Sequence, residues 1–402
     1  MLNIIMIAYT LYVAIKIYIS FFEIDFIKKA MKQKAVVLSE ANYQEAGRYK
    51  IEMQKMSVVS SLYDLLLFFA WITFGLKVLS SAISIENDIL YSVVFVNAFI
   101  ALNYLLGLAF DIYQTFDIDK RYGFSTIDVK TYVSDQVKGA VVFLLFGSAI
   151  IWLISWIIAT FESWWVYGFS AIFVIVLLIN VIYPFYMMLF NKFEPLKNEE
   201  LKTSIESLLQ KAGLKSSGVF TIDASKRDKR LNAFFGGLGK SKRVVLFDTL
   251  IEKLNSSELL AVLGHELGHF KHKDIIKNIF SSGVMLFVMF GFFGNLPMDL
   301  FTDLGFEYSA AMVIILFMLL SPILSFFMMP LMGMMSRYNE YRADEYGSEC
   351  ESKEALGSAL VKLASENKSF PLSHPLSIFF YHTHPELIQR LEKLGVDVRA
   401  QN

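Results

Sequence analysis

Cysteine occurs once in this chain of 402 residues, at Cys350. A lone thiol excludes an internal disulfide framework and a cysteine-ligated zinc site, and Cys350 reads as a small residue on a helix. Charge is scarce too: Asp, Glu, Lys and Arg make up 19% of the residues, against about 25% in a soluble globular protein. The formal net charge is −1, and no basic stripe interleaved with aromatics occurs, which excludes nucleic-acid binding. There is no internal repeat and no low-complexity tract. The apolar start, residues 1–22, lacks a basic leader and a small-x-small cleavage site, so it is expected to stay as a membrane span rather than leave as a signal peptide.

What is abundant is apolar surface: 55% of the residues are hydrophobic and 15% aromatic. A bilayer core about 30 Å thick needs roughly 20 apolar residues in a helix. Seven stretches meet this, over about 2–22, 58–80, 89–112, 139–160, 164–190, 276–296 and 309–335. Polar residues inside them (Asp64, Asn97, Asn103, Asn180) are expected to bond between helices or face an interior. The connections 23–56 and 113–138 are rich in Lys and Arg, whereas 81–88, 161–163 and 297–308 contain neither. Positive connections stay in the cytoplasm, which places the amino terminus outside. The polar regions 191–275 and 336–402 then fall in the cytoplasm. Lys77, near the outer end of the second span, is the discordant charge, and it can snorkel to the interface.

Within 191–275 the pattern LKTSIESLLQKAG is helical and closed by Gly213. Two strand-like runs, GVFTID and RVVLFD, flank NAFFGGLGKSK, whose glycines and lysines read as turns. From Ser256 the pattern is helical again, with Ser256 or Ser257 as the expected cap. The soluble part is therefore α+β.

All six histidines lie beyond residue 264. Three of them fall in GHELGHFKH, which contains the HExxH pattern His265-Glu266-Leu267-Gly268-His269. Positions i and i+4 of a helix sit one above the other, so both imidazoles can reach one ion. Glu266 projects beside them, where it can take a proton from the attacking water. Imidazole nitrogen suits zinc, and three protein ligands leave a fourth position open for catalysis. The apolar flanks Leu259, Leu260, Val262 and Leu263 make this a buried helix, as a rigid site requires.

No third histidine follows at metzincin spacing, and His272, one residue short of i+4 from His269, is turned off the metal face. The third ligand is expected on another element. Just past the last span, SRYNEYRADEYG places Glu340 and Asp344 on one helical face, with Arg337 and Arg342 around them. Either acid can serve, and an ordinary salt-bridged helix accounts for the pattern equally well.

GHELGH followed by NEYRADEYG, in a chain with seven spans, resembles the type I CAAX prenyl endopeptidases, an integral-membrane gluzincin family. The likeness extends to FDIDKRYGFS (116–125), NKFEPLKN (191–198), NAFFGGLGKSKRVVLFDTL (232–250), ELLAVLGHELGH (258–269), SRYNEYRADEYG (336–347) and HTHPELIQRL (382–391), in family order. The resemblance implies that His265, His269 and Glu340 bind one zinc ion and that Glu266 is the catalytic base. It implies that Asp344 steadies a ligand histidine, and that His384 and Arg390 act near the scissile carbonyl. Asn232, Ala233 and Phe234 begin what resembles the family's substrate-pairing edge strand. Where the family commonly has a second proline after His-Pro, this chain has His384-Pro385-Glu386.

The implied fold is a mainly α-helical polytopic membrane protein, with about seven transmembrane helices enclosing a chamber and a small cytoplasmic α+β gluzincin-like protease domain. Spans one to five with their loops occupy 1–190. The soluble part with edge strand and HExxH helix is 191–275, the last two spans 276–335, and the C-terminal part with the third ligand 336–402. The expected partners are the lipid bilayer and a peptide or protein substrate, prenylated or not, met by a monomer. The end VDVRAQN has no ER-retrieval signal, and no long insertion separates RVVLFDTL from the HExxH helix. Both point to a bacterial inner membrane rather than the ER. Two alternatives remain at this point. One is a membrane quality-control metalloprotease without prenyl specificity; the other is a non-enzymatic zinc-binding membrane protein.

Overall fold

The computed structural model describes residues 1–214, 218–236 and 243–396. Five long helices come first: α1 (Leu2–Ala30), α2 (Glu40–Ser81), α3 (Asp88–Arg121), α4 (Val129–Thr160) and α5 (Trp164–Met187). The soluble region follows, with β1 (Phe193–Pro195), α6 (Glu199–Lys211), β2 (Val219–Ile222), β3 (Ala233–Gly236), β4 (Arg243–Phe247), α7 (Asp248–Lys253) and α8 (Ser256–Lys271). The chain then continues through α9 (Asp274–Gly294), α10 (Met298–Leu304) and α11 (Ala310–Cys350). It closes with α12 (Lys353–Glu366), α13 (Pro375–Tyr381) and α14 (Leu387–Leu394).

Seven of these helices (α1 to α5, α9 and α11) are long and apolar enough to cross a membrane, one for each apolar stretch of the sequence. Many of their large apolar side chains, Leu66, Phe146, Ile179 and Phe280 among them, are exposed on the protein surface, as contact with lipid allows. Inside the bundle Phe68, Trp71, Phe95, Phe99, Phe293 and Leu316 belong to one buried cluster. Two intramembrane amides bond between helices: Trp71 Nε1 donates to Asn103 Oδ1 at 3.0 Å, and Ser148 Oγ to Asn97 Oδ1 at 3.3 Å, whereas Asn180 Nδ2 donates to Val176 O of its own helix at 2.8 Å.

The helices overrun the apolar runs at their polar ends. α3 continues to Arg121, so the first part of FDIDKRYGFS is helical rather than a connection. A π-turn at Gln114–Ile118 accommodates the passage. α11 runs unbroken to Cys350 in spite of Pro322 and Pro330, carrying the chain from the membrane directly into the polar domain.

The sheet has four strands rather than the two that the residue pattern marks, in the order β1-β2-β4-β3. β2 and β4 are parallel, while β1 and β3 pair antiparallel with their neighbours. β1 has three residues and ends in proline, too short for alternation to register. β3 lies at the edge, with Ala233 opposite Leu246 and Phe234 opposite Val245, and holds NAFFGG residues that look like plain core from the sequence. The turn expected over the glycines and lysines at 237–242 lies outside the described residues, as does the end of VDVRAQN. On the apolar face of α6, Ile205 joins Val244, Leu246, Leu250 and Leu263 in a second core between sheet and helices.

Candidate active site

The HExxH helix α8 is held firmly at its start. Its cap is Asn255, not Ser256 or Ser257: Asn255 Oδ1 accepts the Glu258 N–H at 2.9 Å, and Glu258 Oε2 accepts the Asn255 N–H at 3.0 Å. This reciprocal box satisfies two of the helix's orphan donors. Glu258 is buried, and it also accepts from Ser358 Oγ at 2.6 Å and Lys362 Nζ at 2.7 Å on α12. Burial works against the charged carboxylate, but Lys362, Ser358 and Asn255 hold its pKa below the ordinary value.

α8 lies against α11 with almost no side chain between them. A Cβ added at Gly264 would stand 2.8 Å from Cys350 Cβ, and one at Gly268 would stand 2.8 Å from Ala343 Cα. From the other side, a Cβ at Gly347 would stand 2.8 Å from His265 N. Small residues four apart on both helices thus let the backbones touch. That contact brings Glu340 of α11 to the two histidines of α8.

Glu340 Oε1 lies 3.1 Å from His269 Nε2, and its Oε2 lies 3.5 Å from His265 Nε2. One ligand atom from each of the three residues falls within 4.8 Å of the others. The remaining ring nitrogens are engaged elsewhere. His265 Nδ1 is 2.8 Å from Asp344 Oδ1, and His269 Nδ1 is 3.1 Å from Asp274 Oδ2. A carboxylate behind each imidazole fixes the tautomer that leaves Nε2 as an electron-pair donor. Glu340 Oε2 is buried and accepts no hydrogen bond among the described residues. His384 Nδ1 comes to 2.8 Å of it, but misdirected for a hydrogen bond. Two oriented imidazoles and a carboxylate oxygen without a donor fit a metal ion.

Glu340 and Asp344, equivalent on the helical face, therefore stand differently: the first faces both Nε2 atoms and the second backs one ring. Arg390 of α14 secures Asp344 with two bonds, Nε to Oδ2 at 2.8 Å and Nη2 to Oδ1 at 2.6 Å. His384 is exposed beside Glu340. Glu266 is half-buried, and its carboxylate makes no hydrogen bond among the described residues. His272 is turned away, its Nδ1 2.8 Å from Arg342 Nη2. Asn232 is exposed ahead of β3, Ala233 is buried in the second core, and the Phe234 ring meets Tyr183 of α5 edge-on at 5.7 Å.

Asp274 escaped sequence reasoning. It opens α9 after a two-residue junction in which Lys273 takes a left-handed conformation, φ 57°. The available signal was an acid at the positive end of a helix, five residues past the second histidine.

Residues 195–396 match the model of peptidase family M48. This chain belongs to that family. Residues 27–192 match a second model, described as CAAX prenyl protease N-terminal, five membrane helices. Among curated relatives, CAAX prenyl protease 1 homolog of Taenia solium is 30% identical over 88% of this chain and 86% of its own. CAAX prenyl protease 1 of Saccharomyces cerevisiae is 30% identical over 89% of this chain and 86% of its own. The crystal structure of S. mikatae Ste24p superposes with a TM-score of 0.90 at 27% identity, covering 98% of each chain. The protein is accordingly a multi-pass integral membrane metalloprotease, and the non-enzymatic alternative falls away. These relatives are eukaryotic and lend no support to the bacterial inner membrane expected from the sequence.

Proposed function

We propose that this M48 member is a zinc endopeptidase that cuts near the C-terminus of CAAX-type substrates, with Glu266 activating the attacking water. The observation that carries the reading is the convergence of His265, His269 and Glu340 within 4.8 Å, with the HExxH glutamate beside them. Zinc held there supplies Lewis-acid polarisation of the scissile carbonyl and of water. Asp344 and Asp274 keep both Nε2 lone pairs directed inward. Glu266, its carboxylate without a hydrogen bond among the described residues, takes the water's proton and passes it to the leaving amine. His384 has its second ring nitrogen available to donate to the developing oxyanion, while Arg390 holds Asp344 in place.

The substrate backbone adds to the outer edge of β3 at Asn232, Ala233 and Phe234. The two latter side chains are already packed, so recognition there runs through the main chain. The Lys- and Arg-rich connections favour a site on the cytoplasmic side. The relatives' names favour a prenylated substrate.

The test uses detergent-purified protein and two matched CAAX peptides, one farnesylated and one not, with and without a zinc chelator. Chelator-sensitive cleavage favouring the farnesylated peptide supports the reading. Equal cleavage of both moves the purpose to general membrane-protein turnover, and cleavage unaffected by the chelator overturns the zinc mechanism. Glu266→Ala is expected to keep zinc and lose turnover, whereas His269→Ala loses both.

A further inference from the structure

A cavity of about 580 Å³ lies beside the metal cluster, with His384 and Arg390 in its wall. That volume is in the range of roughly 300–1,000 Å³ in which proteins enclose small organic ligands. Part of the wall is apolar, from Met53 of α2, Leu360 and Leu363 of α12, and Phe370 beyond it. The rest carries charge of mostly one sign. Among the described residues Lys50, Lys368 and Arg390 line it, against a single acid, Glu386. Burial, with Glu23 nearby, pushes the Glu386 carboxyl up. Both its oxygens are engaged, by the Ser373 N–H at 2.5 Å and by Gln389 Nε2 at 3.3 Å. A cavity with greasy walls and an excess of cations suits an apolar anion.

The three cations are not equivalent. Arg390 is committed to Asp344 by its two short bonds. Lys368 Nζ sits 3.0 Å from Glu45 Oε2 in a closed ion pair. Lys50 Nζ reaches only to 3.7 Å from Glu23 Oε1, beyond hydrogen-bond length. That carboxylate oxygen is fully buried, yet has no hydrogen-bond partner among the described residues. Lys50 therefore keeps its charge steadied by Glu23 while its N–H donors remain unused among the described residues.

We infer that this cavity receives the C-terminal residues of the substrate and that Lys50 binds their free carboxylate. The inference rests on the proposed function. A CAAX end carries two aliphatic residues and a terminal carboxylate, which match the apolar wall and the uncommitted ammonium. Three extended residues span about 10 Å, so an anchored terminus sets which peptide bond reaches His265, His269 and Glu340. Lys50 is then a specificity-determining residue that measures the cut from the chain end.

The test compares two peptides of one CAAX sequence, one ending in the free acid and one in the amide, cleaved by the zinc-loaded full chain. Wild type is expected to prefer the acid by about tenfold in kcat/KM, the effect of one charge-assisted hydrogen bond. Lys50→Met is expected to bring the ratio close to one, and Lys50→Arg to preserve most of it. The amide serves as reference within each variant, so a poorly folded protein lowers both rates and leaves the ratio unmoved. Equal rates for acid and amide in wild type overturn the inference and leave the protease reading standing. Full preference surviving in Lys50→Met overturns the role of Lys50. Failure of wild type to cleave either peptide in a chelator-sensitive way overturns the reading beneath it.

Discussion

Replacing Gly347 by alanine tests whether the contact between α8 and α11 sets the metal site. The new Cβ would lie 2.8 Å from His265 N, 2.9 Å from Ala261 O and 3.1 Å from His265 Cα, where ordinary contact begins at 3.4 Å. All three obstacles are backbone, so no rotamer change relieves them. The helices must part by about 0.6 Å, and the residue pushed is His265, a proposed ligand. Metal sites tolerate deviations of about 0.2 Å, so the histidines and Glu340 fall out of register. Overpacking of this kind costs about 1–3 kcal/mol in stability, and a disturbed ligand support weakens metal binding about ten- to a hundredfold. Zinc affinity by chelator competition and the melting temperature in detergent report the two effects. Gly107→Ala on α3 is the control, because nothing lies within 4 Å of its added Cβ and alanine favours the helix by up to about 1 kcal/mol. A Gly347→Ala protein that binds zinc and cleaves peptide as wild type refutes the reasoning.

Two further outcomes follow from the supports of α8. Asp274→Ala should weaken zinc binding about ten- to a hundredfold, and Asp274→Asn less, since an amide oxygen still accepts from His269; unchanged affinity in Asp274→Ala, by chelator competition, removes its positioning role. Glu258→Ala, which strands the Asn255 N–H, Ser358 and Lys362, should cost about 2 kcal/mol in a thermal melt. The Glu258 carboxyl is held below its ordinary value, so the folded state binds fewer protons there than the unfolded chain. Its contribution is complete above the ordinary carboxylate range and fades as pH falls below it. The gap between wild-type and Glu258→Ala melting temperatures should therefore narrow on acidification; a gap constant with pH contradicts the assignment.

The seven spans were legible because lipid imposes a length and composition that no other solvent demands. Where they end was less so. α3 and α11 leave the bilayer and carry on as polar helices, and hydropathy has nothing to report once the apolar run stops. β1, and β3 apart from the family resemblance, were illegible in the residue pattern for another reason. Each is held by pairing with residues distant in sequence, and three or four residues cannot display a period of two. Asn255 was readable and missed: in Asn255-Ser256-Ser257-Glu258, only Asn255 has the glutamate at the third position that closes a capping box.

The site shows how much one short motif can encode. His265, Glu266 and His269 were recognisable because the HExxH spacing lets both imidazoles of a helix reach one ion. The proposed third ligand was not assignable from residues alone, since Glu340 and Asp344 share a face; Glu340 meets Nε2 of both His265 and His269, whereas Asp344 meets His265 Nδ1 and Arg390. What chooses between them is the phase of α11 against α8. That phase is set where Gly264 and Gly268 meet Ala343 and Gly347, because only there can the backbones approach closely enough to lock. GHELGH thus carries two patterns at once. Its polar positions supply imidazoles and the proposed base, and its glycines supply the groove into which the helix bearing Glu340 docks. The same interval of four residues serves both, since ligands and glycines alike must each lie along one helical face. A second acid-bearing helix can complete the site only if it answers both patterns, as Glu340 and Asp344, Ala343 and Gly347 do on α11.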